Sequence, residues 1–101
     1  MDINIKETSN GLTVQFIGRL DTAAAAEVTP QFNTINEKAD KEIVLDFKNL
    51  EYISSSGLRL LIGLRKNCAA HGGKVIIENI NNDIRNIFLM TGFTSLFEIK
   101  D

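Results

Sequence analysis

The sequence has little cysteine and histidine and no long apolar run. It has one cysteine, Cys68, one histidine, His71, and no tryptophan. A single cysteine cannot form an internal disulfide, and nothing else offers the Cys and His spacing of a metal site. No apolar run approaches the ~18 residues that cross a bilayer, and "MDINIKETSN" lacks the apolar segment of a signal peptide. We therefore expect a cytoplasmic protein that holds no metal or cofactor and does not insert into a membrane.

An excess of basic residues is also absent. The chain has 11 Lys and Arg residues against 13 Asp and Glu residues, a formal net charge of -2 and a pI of about 5.3. A nucleic-acid-binding domain usually has a basic face or a pI above about 9, so we do not expect nucleic acid as a partner. With 101 residues, the chain has the length of one small domain, spanning residues 1–101.

The hydrophobic pattern predicts an α/β fold. In residues 2–18, apolar and polar residues alternate on both sides of an Asn-Gly pair, which predicts a β-hairpin. The β-branched segments "EIVLDF" and "KVIIEN" have the composition of buried strands, and helical patterns lie before, between and after them. The order β-β-α-β-α-β-α-β predicts a mixed, mostly parallel central sheet of four to five strands with an N-terminal hairpin and about three helices.

The predicted start of the first helix depends on Pro30, the only proline in the sequence. Val28, Phe32 and Ile35 are spaced as on one face of a helix. Pro30 inside that helix would cost about 3 kcal/mol, whereas Thr29 and Pro30 together make a good helix start, with threonine as the cap. We therefore predict a short turn at residues 23–27, followed by a helix that ends near residue 38.

Three consecutive serines, Ser54, Ser55 and Ser56, lie between an apolar strand and an apolar helix in "LEYISSSGLRLL". In a parallel sheet, ligands and partners meet the segments that follow the carboxyl ends of the strands, here residues 19–26 and residues 49–57. A serine at a helix start is a good N-cap, contributing ~1 kcal/mol over alanine, but capping accounts for one hydroxyl and not for three. Gly57, in the first helical turn, would leave the backbone N–H groups open to close approach.

A catalytic serine would need a base within hydrogen-bond reach. His71 follows Ser55 by sixteen residues on the same predicted helix, which is on the order of 24 Å at the rise of an α-helix. Lys66 follows Ser55 by eleven residues, or roughly 16 Å. Neither a serine–histidine nor a serine–lysine pair can form along this helix, so we do not expect an enzyme.

A hydroxyl at an exposed helix start is instead a good phosphate acceptor. The free N–H groups and the helix dipole favour an anion there by about 0.3–1 kcal/mol. The phosphate would carry a charge of about -1.5 to -2 into any interface formed at that surface, and burying this charge without a cation costs several kcal/mol. Phosphorylation at this position would therefore break a complex without unfolding the protein.

Three segments of the chain resemble one protein family. "VLDFKNLEYISSSGLRLLIGL" resembles the signature of the anti-sigma-factor antagonists, the STAS domain family, in which a serine pair and Gly-Leu separate a strand from an apolar helix. "GRLDTAAAAEV" at 18–28 and "IFLMTGFTSLFEI" at 87–99 resemble further segments of that family. The resemblance covers nearly the whole chain and implies a single STAS domain without enzymatic activity.

The resemblance implies a regulatory role in bacterial partner switching. Such a protein binds a serine kinase that is also an anti-sigma factor, and the kinase phosphorylates the antagonist with the ATP that the kinase itself binds. The complex then separates, and a serine phosphatase restores the unmodified antagonist. An alternative role within the family is that of an accessory subunit of a membrane transporter complex.

The family motif places the phosphate acceptor at Ser55, with Ser54 and Ser56 as alternatives. Many relatives carry an aspartate where this chain has Ser54, so a negative charge beside the acceptor is missing here. The residues expected to contact the partner are Asp21, Ser54, Ser56, Gly57, Leu58 and Arg59. Outside this segment, Cys68 has the spacing of a core residue, and His71 is expected to interact with the carboxyl end of its helix.

Overall fold

Strands and helices alternate along the chain as the hydrophobic pattern predicts. The computed structural model describes residues 1–100. Its elements, in chain order, are β1 (Asp2–Glu7), β2 (Gly11–Leu20), α1 (Thr22–Asn36), β3 (Glu42–Ile53), α2 (Ser55–His71), β4 (Lys74–Glu78), α3 (Asn82–Thr91), a 3-10 turn (Phe93–Ser95) and β5 (Glu98–Lys100). The predicted α/β fold with about three helices is confirmed.

The five strands form one sheet in the order β1-β2-β3-β4-β5. β1 and β2 are antiparallel and form the predicted hairpin, in whose turn the Thr8 amide donates to the Gly11 carbonyl at 2.9 Å. β2 to β5 run parallel to one another. A helix joins each of these parallel strands to the next, as such connections require.

The core lies between one face of the sheet and the three helices. Phe16 of β2 contacts the rings of Phe32 from α1 and Phe47 from β3, with centroids 6.1 Å and 5.5 Å apart. The Phe47 ring in turn lies 6.2 Å from that of Phe88 in α3. Leu61 of α2 belongs to the same buried cluster. All three helices therefore bury their apolar stripes against the same side of the sheet.

The opposite face of the sheet is polar along β1 and the first half of β2 and at Asp46, whereas Val44 of β3 and the buried Ile76 of β4 are apolar there. Thr13, Gln15 and Asp46 alternate with the buried residues of β2 and β3 and are partly exposed. On this face the Asn4 side-chain amide donates to Gln15 at 3.3 Å, and the Asn79 side-chain amide donates to Asp46 at 3.0 Å. Because β1 and the first half of β2 have one apolar and one hydrated face, apolar and polar residues alternate along them. This alternation allowed the hairpin to be predicted from the sequence.

The prediction for the first helix is wrong at its start. α1 begins at Thr22, runs through the segment predicted as a turn and contains Pro30 in its interior. Asp21 is the N-cap, and its side chain accepts a hydrogen bond from the Ala24 amide at 2.9 Å. Ala24 is also buried in the core. Capping and burial at this end outweigh the unfavourable effect of an interior proline.

The predicted loop at residues 49–57 is also wrong, because β3 continues to Ile53 and α2 begins at Ser55. The register of β2 and β3 shifts twice near these ends, between Gln15 and Ile17 and between Gly18 and Arg19. Such shifts break the two-residue alternation of a strand. The buried residues at the end of β3 are consequently three apart, at Phe47, Leu50 and Ile53.

The sequence predicts a cap at Asn81 or Asn82 for the third helix and glycine ends at Gly72-Gly73 and Gly92, and these helix ends are confirmed. Asn81 caps α3 by accepting from the Ile84 amide at 2.9 Å. Gly72 and Gly92 end α2 and α3 with φ of 83° and 75°, a left-handed backbone that glycine adopts readily. The predicted last strand is shorter than "SLFEIK" suggests, because Phe93–Ser95 forms a 3-10 turn instead. Within residues 1–100 we find no helix that is both long and apolar enough to cross a bilayer.

Candidate functional site

Two helices start side by side at the carboxyl edge of the sheet. β2 ends at Leu20 and β3 ends at Ile53, and these two residues are paired in the register of the strands. One residue separates each strand from its helix: Asp21 precedes α1, and Ser54 precedes α2. The Ser54 amide donates to the Leu20 carbonyl at 2.8 Å. The two helix starts are therefore held together by the sheet itself.

Each of these linking residues is also a helix cap. The Ser54 hydroxyl oxygen accepts from the Gly57 amide at 3.2 Å, as the Asp21 carboxylate does from the amide of Ala24. Ser, Asp and Asn are preferred at this position, where each contributes about 1 kcal/mol over alanine. The capping role considered for the serines thus belongs to Ser54.

The three serines have three different environments. Ser54 is 8% exposed, and its hydroxyl lies under the first turn of α2. Ser56 is partly buried and lines a shallow groove between α1 and α2, together with Ala25 and Leu60. Ser55 is exposed at the first position of the helix. Of the three serines, Ser55 is the most exposed, and Ser56 is open only towards the groove.

The surroundings of Ser55 favour an anion. Amides in the first turn of a helix have no partner within the helix, and this holds for Ser55 and Ser56. The positive end of the helix dipole lies at the same place, and the first turn of α2 contains no acidic residue. Arg59 is exposed one turn further along the helix. Residues four apart are neighbours on a helical surface, so Arg59 is on the same side of α2 as Ser55.

Gly57 and Leu58 belong to the core, although both were expected to contact the partner. A Cβ atom on Gly57 would lie 2.8 Å from Leu20 Cγ and 2.9 Å from Ile53 Cγ1. Glycine is needed here because α2 packs closely against the ends of both strands, which differs from the open amides predicted from sequence. Leu58 is 4% exposed. These two residues position the start of α2, and Ser55 and Arg59 form its exposed surface.

A third helix start lies at the same edge, and the sequence interpretation did not connect it with the site. The Asn81 side-chain amide donates to the Leu50 carbonyl at 2.7 Å, which ties the cap of α3 to β3. Nearby, the Arg19 guanidinium lies over the Tyr52 ring, 4.6 Å from its centroid. Arg19, Leu50 and Asn81 line an open hollow that also contains Asp83. The signal in the sequence was the predicted Asn81 cap, because every helix after a parallel strand begins at this edge.

The other candidate residues lie away from the site. His71 is exposed at the far end of α2, where its Nδ1 lies 2.8 Å from the Asn67 carbonyl oxygen, as expected for a residue at a helix carboxyl end. Cys68 is buried, and its burial raises the pKa of the thiol. Within the part of the chain that the structure describes, no three His, Cys, Asp or Glu residues are grouped as a metal site. The arrangement at Ser55 is suited to modification and to contact with another molecule.

Comparison with known proteins identifies the family of the chain. The family model described as "STAS domain" matches residues 2–101. The anti-sigma-B factor antagonist of Bacillus subtilis is 26% identical, with 99% of this chain and 91% of the relative covered. The anti-sigma F factor antagonist of Paenibacillus polymyxa is 28% identical, with 100% and 87% covered.

Solved structures share the fold. The anti-sigma factor antagonist SpoIIAA in its unphosphorylated form superposes with a TM-score of 0.74 at 20% identity, covering 99% of this chain and 88% of the other. The phosphorylated form of SpoIIAA gives a TM-score of 0.73, also at 20% identity, covering 99% and 92%. With its SpoIIAA-like fold and a family match over nearly its whole length, the chain belongs to the STAS domain family.

Proposed function

We propose that this protein is an anti-sigma factor antagonist that binds a serine-kinase anti-sigma factor and is released by phosphorylation of Ser55. The observation that carries the proposal is the position of Ser55, the exposed serine of the three, at the start of α2. The relatives named above as anti-sigma factor antagonists support the choice of partner. A related fold solved with and without phosphate supports regulation by phosphorylation.

The proposed reaction uses ATP bound by the partner. The Ser55 hydroxyl oxygen attacks the γ-phosphorus, the bond to the β-phosphate oxygen breaks, and ADP leaves. The hydroxyl proton passes to a base of the kinase, as the catalytic aspartate of protein kinases accepts the proton of the substrate hydroxyl. A separate serine phosphatase restores the hydroxyl by hydrolysis. The antagonist supplies an accessible acceptor and does no catalysis of its own.

The energetics at Ser55 favour a change in binding over a change in fold. A phosphate on Ser55 would sit beside the free amides of the first turn and the dipole of α2, worth about 0.3–1 kcal/mol. Arg59, one turn away and exposed, would offer a cation to it. Burying this phosphate in an interface at a cost of about 4 kcal/mol would weaken binding about a thousandfold.

The proposed partner surface is the exposed part of the two adjacent helix starts. Asp21 and Ser56 are partly exposed and Arg59 is exposed, so these side chains can touch a partner directly. The other residues expected to bind a partner, Ser54, Gly57 and Leu58, are buried. In the proposal they act by fixing the angle and position of α2.

Phosphopeptide mass spectrometry on the protein from its native cells tests the acceptor. We expect phosphate on Ser55, and a phosphate found on Ser54 or Ser56 instead would contradict this assignment. A chain without phosphate under any growth condition would contradict the switch and favour the transporter-subunit role. In that case the serines would serve only as structural residues at the start of α2.

Binding to the cognate kinase tests the consequence. We expect Ser55→Asp to weaken binding strongly with almost no change in melting temperature, and Ser55→Ala to bind but not to accept phosphate. The matched control is Ser9→Asp, which adds the same charge at an exposed position in the β1–β2 turn. Equal affinities for Ser55→Asp and the wild type would refute the switch at this residue.

A further inference from the structure

β1 leaves one side of the sheet open. Among the strands of residues 1–100 it is hydrogen-bonded to β2 alone, so alternate N–H and C=O groups of Asp2–Glu7 point away from the sheet. The opposite edge, β5, has three residues and offers few such groups. An exposed edge of six regularly paired residues is a template for a further strand.

The side chains of β1 match a second copy of β1. Consider an antiparallel pair in which the two Asn4 residues face each other across a twofold axis perpendicular to the sheet. Asp2 then lies opposite Lys6 of the second copy, and Ile3 lies opposite Ile5 of the second copy. The twofold axis generates the Asp2–Lys6 pair and the Ile3–Ile5 pair twice each. Opposite residues of an antiparallel pair share a face of the sheet, so charges meet charges on the polar face and isoleucines meet on the apolar face.

Other registers of the same symmetry lose this match. A slip of one pair in one direction places Ile3 opposite Ile3 and Asp2 opposite Asn4, so Asp2 no longer meets a lysine. A slip in the other direction places Ile3 opposite the carboxylate of Glu7. A lysine on an edge strand usually prevents pairing, but in the Asn4-centred register Lys6 meets an aspartate. The charges of β1 therefore select one register.

The apolar side of β1 is also incompletely covered. Ile3 and Ile5 pack against the core but remain partly exposed, while Val14 and Phe16 beside them on β2 are fully buried. A second β1 would place another isoleucine next to each of them. Three features thus coincide at this edge: open backbone groups, unfinished apolar burial and self-complementary charge.

We propose that two copies of this chain associate through antiparallel pairing of β1, which joins their sheets into one of ten strands with all helices on the same side. The interface consists of one short strand from each copy, so it falls below the about 1,200 Å² of a standard stable complex. The dimer is therefore weak and forms reversibly, with a dissociation constant of about 0.1–1 mM. It uses neither Ser55 nor a kinase, so it stands independently of the proposed function.

Sedimentation velocity on the full chain, with any purification tag at the C-terminus, tests this pairing. We expect the wild type to shift from monomer to dimer as its concentration approaches the dissociation constant. Asp2→Lys and Lys6→Asp each place like charges opposite one another twice, and each should weaken association about tenfold or more. Lys66→Asp, an exposed charge change on α2, should leave the association unchanged.

Restoring the charge match provides the decisive comparison. An equimolar mixture of the two single variants brings Lys opposite Asp in both pairs, and so does the double variant Asp2→Lys/Lys6→Asp with itself. Both should associate like the wild type, and the circular dichroism spectrum verifies that each variant is folded. A wild type that stays monomeric at ~1 mM, single variants that associate normally, or a folded double variant that does not would each overturn the proposal.

Discussion

The two glycines of α2 allow a direct test of how the helix is seated on the sheet. Gly57→Ala places a methyl group 2.8 Å from Leu20 Cγ and 2.9 Å from Ile53 Cγ1. Gly63→Ala, two turns later in the same helix, meets no atom within 4 Å. Both changes replace glycine by alanine in one helix, so they share the gain in helix propensity. They differ in whether the methyl group has space.

The expected effects have opposite signs. Alanine in place of glycine stabilises a helix by roughly 0.5–1 kcal/mol, which is the full effect expected for Gly63→Ala. At Gly57 the surrounding side chains of Leu20 and Ile53 are 0% and 2% exposed and have little room to move. Overpacking of this kind costs about 1–3 kcal/mol. We therefore expect Gly57→Ala to be less stable than Gly63→Ala by about 1–3 kcal/mol.

Urea unfolding followed by circular dichroism measures this difference as a change in midpoint at constant m-value. By thermal unfolding it corresponds to about 4–8 °C per kcal/mol for a domain of this size. If Gly57→Ala is stabilised as much as Gly63→Ala, then α2 does not press against β2 and β3 as described. The account of Gly57 as a packing residue would then have to be abandoned.

Two further predictions concern α1 and the buried thiol. Pro30→Ala should raise the free energy of unfolding by about 1–3 kcal/mol, because an amide at this position can donate to the Ala26 carbonyl; an unchanged urea midpoint would contradict this. Burial raises the pKa of the Cys68 thiol, so the folded chain keeps its proton more tightly than the unfolded chain. Stability should therefore fall as pH rises above about 8.5. Cys68→Ala should show a smaller fall in parallel titrations, and equal slopes would argue against a thiol buried in the core.

Elements with undisturbed local patterns could be predicted from the sequence. The hairpin was readable because β1 and the first half of β2 alternate between an apolar and a hydrated face. The ends of α2 and α3 could be predicted because glycine is the residue that most readily adopts the left-handed backbone that ends helices, as Gly72 and Gly92 do. In these places the local signal and the tertiary structure agree, so no further information was needed.

The start of α1 and the end of β3 could not be predicted because long-range contacts determine them. Pro30 favours a helix start near its own position, but burial of Ala24 moves the start back to Asp21. The end of β3 depends on the register shifts with β2, which no local pattern in β3 reveals. For the site, the sequence identified the serines but not which was buried. That distinction came from the Ser54 cap.

The direct junction between β3 and α2 has a mechanical consequence. One residue, Ser54, separates the strand from the helix, and its amide is bonded to the Leu20 carbonyl of the neighbouring strand. No hinge is available there to convert a chemical change at Ser55 into a movement of the helix. A phosphate on Ser55 would therefore change the local surface that a partner contacts and would leave the rest of the fold unchanged. Removing the phosphate would restore the original surface directly, without a slow conformational change.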